Sequence, residues 1–298
     1  MNGDVDVLAN LFGWSDHLKG IGLLIITAVL WSTSGIGIKS IAWNPMALAG
    51  ARSGIATLVI WAAFRKSELR WTRKMICGGV AYAVMVLAFV AATKLTTAAN
   101  AILLQYTSPV YVAILGAIFL QEKPRFYDWL TIGAVGGGIV LFFQDQMTAG
   151  DVIGNLLAIV AGISQAVVAV AMRGQKNEAP FGSVLLGNAL TFLCGLPFMF
   201  GGSPGANGWA LIVALGCVQI GLAYVLYSIA IKYVPALEAT IITMIEPILN
   251  PVWVFLLIGE TPGPWALAGG AIILAAIAAR YVVPALKPSG AAAETAGR

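Results

Sequence analysis

Two ionisable side chains lie deep inside apolar stretches of the sequence, where a charge is costly unless it is used or paired. Glu246 lies about ten residues inside one stretch, roughly 15 Å from the start of a helix. Buried acids of this kind pair with a neighbour, take up a proton or face a wet cavity. Glu246 could therefore bind an ammonium group or carry a proton, or it could be a structural carboxyl bonded to another helix.

Arg52 is the buried cation of the sequence, about seven residues, or roughly 10 Å, inside another apolar stretch. Its guanidinium could bind a carboxylate. It could equally extend toward the surface or pair with a backbone carbonyl, and the sequence leaves these alternatives open.

Pro109 and Pro247 also lie in the middle of apolar stretches. Proline removes a helical hydrogen bond, which predicts a kink in each helix. Within a membrane the freed backbone is expected to be buried or to face a cavity. Each kink could be static, but its recurrence in both stretches favours a hinge.

The apolar stretches also carry neutral polar and aromatic residues that suit a cavity for a small molecule. The candidates that accompany Glu246 are Trp31, Ser32, Tyr82, Gln105, Tyr106, Ser108, Ser164, Gln165, Gln219, Tyr224 and Thr243. Tyr227 is left out because it lies near the end of its stretch. The alternative for each residue is a hydrogen bond between neighbouring helices.

Other chemistries lack their residues. His17, the single histidine, precedes the first apolar stretch and is expected to be incidental. The three cysteines lie inside apolar stretches, where thiols act as small hydrophobes, so no disulfide, metal or cofactor is expected. An intramembrane protease would need a serine–histidine pair or two facing aspartates. The net charge of +4 is spread over short loops, which does not predict nucleic-acid binding.

The composition places these residues in a membrane. Only 10% of residues are charged, against roughly 25% in soluble domains, and mean hydropathy is +0.89. A membrane-spanning helix needs about 20 apolar residues. Ten segments qualify, which predicts an all-α polytopic membrane protein: 18–39, 45–64, 74–93, 98–120, 126–144, 151–172, 181–200, 208–230, 236–258 and 264–283.

The sequence repeats itself after 138 residues. Residues 94–124 align with 232–262 without a gap, and Pro109 matches Pro247 while Glu122 matches Glu260. If the N-terminus lies inside, the short loops place 14 cations on the cytoplasmic face and two, Lys39 and Lys94, on the outer face. Because each half has five segments, an odd number, the ten transmembrane helices are predicted to form two inverted five-helix repeats. The basic run at 65–74 is interpreted as an orientation signal that touches anionic lipid, without a binding motif.

Several local patterns resemble the drug/metabolite transporter superfamily in its ten-span EamA-type branch. They are Leu30-Trp31-Ser32 followed by Lys39, Pro45 followed by Arg52, Pro109 to Glu122, Pro247 to Glu260, and Glu246-Pro247. The resemblance implies transport of small metabolites, often amino-acid export, similar to exporters of aromatic amino acids or drugs. One departure is that Gly187 and Asn188 occupy the place that Arg52 has in the first half.

The resulting expectation is a transporter, not an enzyme, which moves amino acids, including aromatic or other apolar ones, or related metabolites across the bacterial inner membrane. Export would proceed by alternating access; proton coupling and uniport both stay open. Alternatives are a drug or other metabolite carrier of the same fold, and a channel-like or structural membrane protein. The expected organisation is a cytoplasmic N-terminal segment (1–17), EamA-like repeats at 18–144 and 151–283, and a disordered cytoplasmic tail (284–298). The expected partners are a small-molecule substrate and the bilayer; a monomer is compatible with the sequence.

Overall fold

The structure is a computed structural model that describes residues 15–33, 41–96, 98–142, 144, 152–249, 253, 256 and 263–286. Within these ranges the chain forms helices, turns and loops, with no strand. Lys39, Glu260, Pro262 and residues 287–298 lie outside the described residues.

The described residues of the first half form six helices. They are α1 (Asp16–Ser32), α2 (Pro45–Phe64), α3 (Arg73–Leu95), α4 (Ala98–Gln105), α5 (Ser108–Phe119) and α6 (Phe126–Phe142). Local sequence explains where the first three begin, because Ser15, Asn44 and Thr72 each accept a hydrogen bond from a backbone N–H of the first turn. Pro45 then occupies the first turn of α2, where a missing N–H costs nothing.

The second half contains helices α7 to α12. They are α7 (Val152–Arg173), α8 (Phe181–Gly195), α9 (Gly205–Ala214), α10 (Ala223–Ala230), α11 (Ala236–Thr243) and α12 (Pro264–Leu286). A 3-10 turn (Leu196–Phe200) extends α8, and a π-helical segment (Leu215–Leu222) joins α9 to α10. Residues 246–249 are helical again after a turn at 244–245. Helix α12 runs past the predicted boundary at 283 to Leu286.

Within the described ranges, five helical stretches are long and apolar enough to cross a membrane: Pro45–Phe64, Arg73–Ala92, Val152–Arg173, Phe181–Phe200 and Gly205–Ala230. Shorter apolar helices are Ser108–Phe119, Phe126–Leu141 and Leu267–Ala279. The described part of the chain is therefore an all-helical, membrane-integral fold.

The prolines interrupt their helices where kinks were expected. Helix α4 ends at Gln105, Tyr106 and Thr107 form a turn, and Pro109 lies in the first turn of α5. In the second half α11 ends at Thr243, and Pro247 follows the turn at 244–245 in the same way. The first turn of a helix tolerates proline because its N–H groups have no intrahelical partner. Each proline thus starts a new helix after a break.

Glycines let the helices approach closely. A Cβ atom on Gly162 of α7 would lie 2.8 Å from the Gln105 carbonyl oxygen at the end of α4. A Cβ on Gly50 of α2 would lie 2.8 Å from the Cα of Gly195 of α8. Such small residues are typical of contacts between membrane helices. The break after Gln105 is therefore packed against α7.

Candidate functional site

Four of the predicted cavity residues line one small pocket. Trp31, Gln165, Tyr224 and Thr243 surround a space of about 20 Å³. Its other lining residues are Met85, Val168, Ala169, Tyr227 and Thr240. A single water needs about 10–15 Å³ by this measure. The central pocket, as this space is called below, is therefore large enough for about one water.

Three aromatic rings, of Trp31, Tyr224 and Tyr227, form part of the wall. The ring centroids of Trp31 and Tyr224 are 5.0 Å apart, and those of Trp31 and Tyr227 are 5.6 Å apart. Tyr82 contacts Tyr224 edge-on at 5.1 Å, and its hydroxyl donates a hydrogen bond of 3.2 Å to the side-chain oxygen of Asn188. Tyr227, which the sequence interpretation left out, is thus part of the aromatic cluster.

Glu246 directly follows the break that ends α11. The Tyr106 hydroxyl, beside the equivalent break after α4, lies within hydrogen-bonding reach of the Glu246 carboxylate. Tyr224 is also close enough to interact electrostatically with the Glu246 carboxylate. The carboxylate therefore lies next to the aromatic cluster, and its contact with Tyr106 joins the two breaks.

Arg52 also lies next to the aromatic cluster. Its Nη1 atom is 3.5 Å from the side-chain oxygen of Gln219, which is too long for a strong hydrogen bond. Tyr82 and Tyr224 are its electrostatic neighbours. None of the ion pairs between described residues includes Arg52, so this cation lacks an acidic partner in the described part of the protein.

Three candidate residues carry a buried polar atom without a hydrogen-bond partner: Nε of Arg52, Oγ of Ser108 and Oε1 of Gln165. A buried polar atom left unpaired costs about 1–3 kcal/mol. Gln165 also lines the central pocket. Unpaired polar atoms beside a pocket are the groups that a polar ligand would satisfy.

Other predicted residues do not reach the pocket. Ser32 donates to the Val29 carbonyl at 2.7 Å and accepts a 2.8 Å hydrogen bond from the Trp253 indole N–H. Ser164 is buried. Gln105, Ser108 and Ser164 are absent from the pocket lining, as are the half-buried Glu246 and Arg52. The predicted set is therefore divided between four residues that line the pocket and others that do not.

The sequence interpretation missed a polar network at one end of the helices. Nε of Arg173 lies 2.7 Å from Glu122 Oε1, and its Nη1 donates to the carbonyls of Ile231 and Lys232 at 3.0 and 2.7 Å. Glu122 Oε2 accepts a 3.0 Å hydrogen bond from the backbone N–H of Ala236. This Arg173–Glu122 network ties the ends of α5 and α7 to the start of α11.

His17 contributes to the same region. Its Nε2 atom is 3.1 Å from the Oε1 atom of Glu238, in the first turn of α11. The sequence predicted no role for His17, and in the structure its side chain joins the first turn of α1 to that of α11. Among the described residues, no group of three or more histidines, cysteines or acids is arranged to hold a metal ion.

A larger cavity of about 880 Å³ lies between the ends of α2, α8 and α10. None of the predicted cavity residues lines it. The larger space and the predicted cavity are therefore different places.

Comparisons with known proteins agree with one another. The EamA-like transporter family matches residues 18–144 and 152–281. An uncharacterized transporter of Archaeoglobus fulgidus is 27% identical over 87% of this chain and 94% of its own length. The pseudopaline exporter CntI of Pseudomonas aeruginosa is 27% identical, covering 76% and 82% of the two chains. The threonine/homoserine exporter RhtA of Escherichia coli is 25% identical, covering 88% and 93%.

The fold has a solved counterpart. A crystal structure covers 90% of this chain and 98% of its own, with a TM-score of 0.80 at 21% sequence identity. At that identity the likeness shows a shared fold.

Proposed function

Because the chain belongs to the EamA-like transporter family of the drug/metabolite transporter superfamily, we propose that it exports amino acids or closely related metabolites from the cytoplasm. Membership of this family makes it a membrane transporter. The substrate, the direction and the mechanism are proposed here from the site.

The observation that carries the proposal is the pair of opposite charges around one aromatic cluster. Arg52 and Glu246 are both electrostatic neighbours of Tyr224, and Arg52 has no acidic partner among the described residues. A free amino acid carries a carboxylate and an ammonium group. The carboxylate would pair with Arg52, and the ammonium with Glu246.

The side chain of the substrate would meet the aromatic wall. Trp31, Tyr82, Tyr224 and Tyr227 supply flat apolar surfaces with polar edges. Apolar and aromatic amino acids therefore fit the lining best. The names of two relatives, exporters of threonine and homoserine and of pseudopaline, support export of small metabolites.

The small central pocket supports transport by alternating access. Ligand sites usually measure about 300–1,000 Å³, whereas the central pocket holds about 20 Å³. A substrate can enter only if the surrounding helices separate. The turns at 106–107 and 244–245 would act as the hinges, because the helical hydrogen bonds are interrupted there. These turns lie beside or include Tyr106 and Glu246.

The proposed membrane arrangement has ten crossings in two inverted halves, 18–144 and 151–283. Both termini would lie on the cytoplasmic side of a bacterial inner membrane. This orientation puts the Arg173–Glu122 network and the basic run at 65–74 on the cytoplasmic face. The structure would then be an occluded state that is tied together on that face.

The test is flux through the purified protein in liposomes with a panel of labelled amino acids. We expect saturable flux, strongest for apolar or aromatic substrates. Glu246→Gln removes a charge-assisted contact of about 1.5–3 kcal/mol, so the half-saturation concentration should rise about 10–100-fold. Asp16→Asn, on an exposed residue, is the matched control and should leave flux unchanged.

The same variant tests energy coupling. If Glu246 also carries the proton, Glu246→Gln should abolish flux driven by a pH gradient but retain exchange. Absence of saturable flux for every amino acid would refute the proposed substrate class, and saturable flux of other metabolites alone would favour a drug or metabolite carrier.

A further inference from the structure

The larger cavity has a strongly basic rim. Four cations and two carboxylates line it: Arg65, Lys66, Arg70, Lys232, Glu68 and Glu178. Arg70 pairs with Glu68 at 3.0 Å. Arg65, Lys66 and Lys232 form no ion pair with any described residue. This space, called the basic cleft, therefore presents uncompensated positive charge.

Apolar residues also line the basic cleft. They are Ala62, Ala63, Phe64, Ala179, Phe181, Val225 and Ile229. The rings of Phe64 and Phe181 stack with centroids 4.3 Å apart and planes 9° from parallel. A ligand that matches both the basic and the apolar residues of the lining needs an acidic group and an apolar part.

Helix packing explains why the cleft is there. A Cβ on Gly216 would lie 2.7 Å from Cβ of Ile55, and one on Gly221 would lie 2.8 Å from Cβ of Val59, so α2 touches the π-helical segment closely. Beyond Val59 the larger side chains of α10 replace glycine. The cleft then separates the end of α2 from α10.

The cleft is distinct from the central pocket. Val225 and Ile229 of α10 line the cleft, whereas Tyr224 and Tyr227 of the same helix line the pocket. At about 100° per residue, the two pairs point roughly 100–160° apart around the helix. Helix α10 therefore stands between the cleft and the central pocket.

We propose that the basic cleft binds an anionic phospholipid. Its phosphate would contact Arg65, Lys66 and Lys232, and an acyl chain would lie on the apolar residues of the lining. Basic pockets between membrane helices are suited to acidic headgroups. The large exposed rings of Trp61 and Trp71, 60% and 67% accessible, flank this end of the fold, as expected of side chains at a membrane–water interface. Arg65 and Lys66, at the start of the basic run, would then bind lipid as well as help to orient the chain.

The proposal rests on the membrane placement proposed above and is independent of the substrate. The test is native mass spectrometry of the detergent-purified protein titrated with phosphatidylglycerol. Phosphatidylcholine with the same acyl chains tests the need for acidic charge, and glycerol phosphate tests the need for the chains. We expect phosphatidylglycerol to bind in preference to both.

The variant is Arg65→Gln with Lys66→Gln, and the control is Arg73→Gln with Lys176→Gln. The control removes the same charge from exposed positions outside the cleft. At about fivefold per cation near an acidic headgroup, the variant should bind phosphatidylglycerol about 30-fold more weakly. The control should bind within twofold of the native protein.

Equal binding of phosphatidylglycerol and phosphatidylcholine by the native protein would overturn the proposal without any variant. Equal loss in variant and control would overturn it too, since the effect would then be nonspecific charge. Competition by glycerol phosphate at equal concentration would show that the cleft takes a free phosphate instead of a lipid. Flux measured on the same preparation separates these failures from failure of the proposed transport function.

Discussion

The Arg173–Glu122 network offers the sharpest stability prediction. Arg173 is 9% exposed, and its side chain and that of Glu122 are 10% and 24% exposed. Glu122→Ala removes the carboxylate that neutralises this buried cation and also the acceptor of the Ala236 N–H. Breaking a buried pair from one side costs about 3–5 kcal/mol. Because Glu122 is partly exposed, we expect about 3 kcal/mol for this change.

Arg173→Ala should cost more than Glu122→Ala. It removes the hydrogen bonds to the Ile231 and Lys232 carbonyls in addition to the ion pair. The double variant should cost less than the sum of the two, because each single change already breaks the shared contact. We expect a coupling energy of about 1–3 kcal/mol.

The assay is unfolding in mixed micelles with an increasing fraction of denaturing detergent, applied to a double-mutant cycle. The matched control is Asp16 and Lys19, a 3.1 Å pair in which the Asp16 side chain is 70% exposed. An exposed pair of this kind contributes about 0.2–1 kcal/mol. If the Arg173 and Glu122 effects were additive, or no larger than the control, the reasoning that this network fastens α11 to α5 and α7 would be refuted.

Two further predictions concern placement and packing. Single cysteines at Pro124 and Pro262 should be labelled from opposite faces of the membrane; labelling from one face would contradict the inverted halves. Gly162→Ala places a methyl group 2.8 Å from the Gln105 carbonyl and should destabilise by about 1–3 kcal/mol, whereas Gly137→Ala, with nothing within 4 Å, should stabilise by about 0.5–1 kcal/mol. Detergent unfolding measures both glycine changes, and equal effects would show that the contact at Gly162 is not tight.

Local signals explain which helix boundaries were predictable. Helix α2 begins at Pro45 and ends at Phe64, as predicted, because Asn44 caps a proline start and a basic loop follows. The π-helical segment was not predictable, since its shape depends on Gly216 and Gly221 packing against α2. The prolines at 109 and 247 predicted that each helix is irregular there. They did not predict whether the helix kinks or breaks, because both forms lose the same hydrogen bond.

The site was predictable as a set of residue types rather than as a geometry. Trp31, Gln165, Tyr224 and Thr243 were selected as polar or aromatic residues in apolar helices, and all line the central pocket. His17 and Glu238 lie 221 residues apart in the sequence, and no local pattern connects them. Contacts of that range arise from how α1 and α11 pack together.

The two halves place their charges at positions that do not match. In the alignment of the two halves at a shift of 138 residues, Glu246 corresponds to Ser108 and Tyr106 corresponds to Met244. The positions equivalent to Tyr106 and Glu246 therefore hold a methionine and a serine. The buried hydroxyl of that serine, Ser108, has no hydrogen-bond partner. A duplication would have produced the two halves, each with a helix break. Later substitutions would have introduced the tyrosine and the carboxylate at the breaks.

Arg52 extends the same argument. Gly187 and Asn188 lie near the corresponding place in the second half, and Asn188 accepts a hydrogen bond from Tyr82 instead of binding a charge. The cation thus belongs to the first half and the anion, Glu246, to the second. A zwitterion bound between them would contact both halves at once, with one orientation favoured. Its binding energy would then depend on the distance between the two halves. A substrate shifts a carrier between open and closed states only if it binds one state more tightly than the other, and this distance dependence would provide that difference.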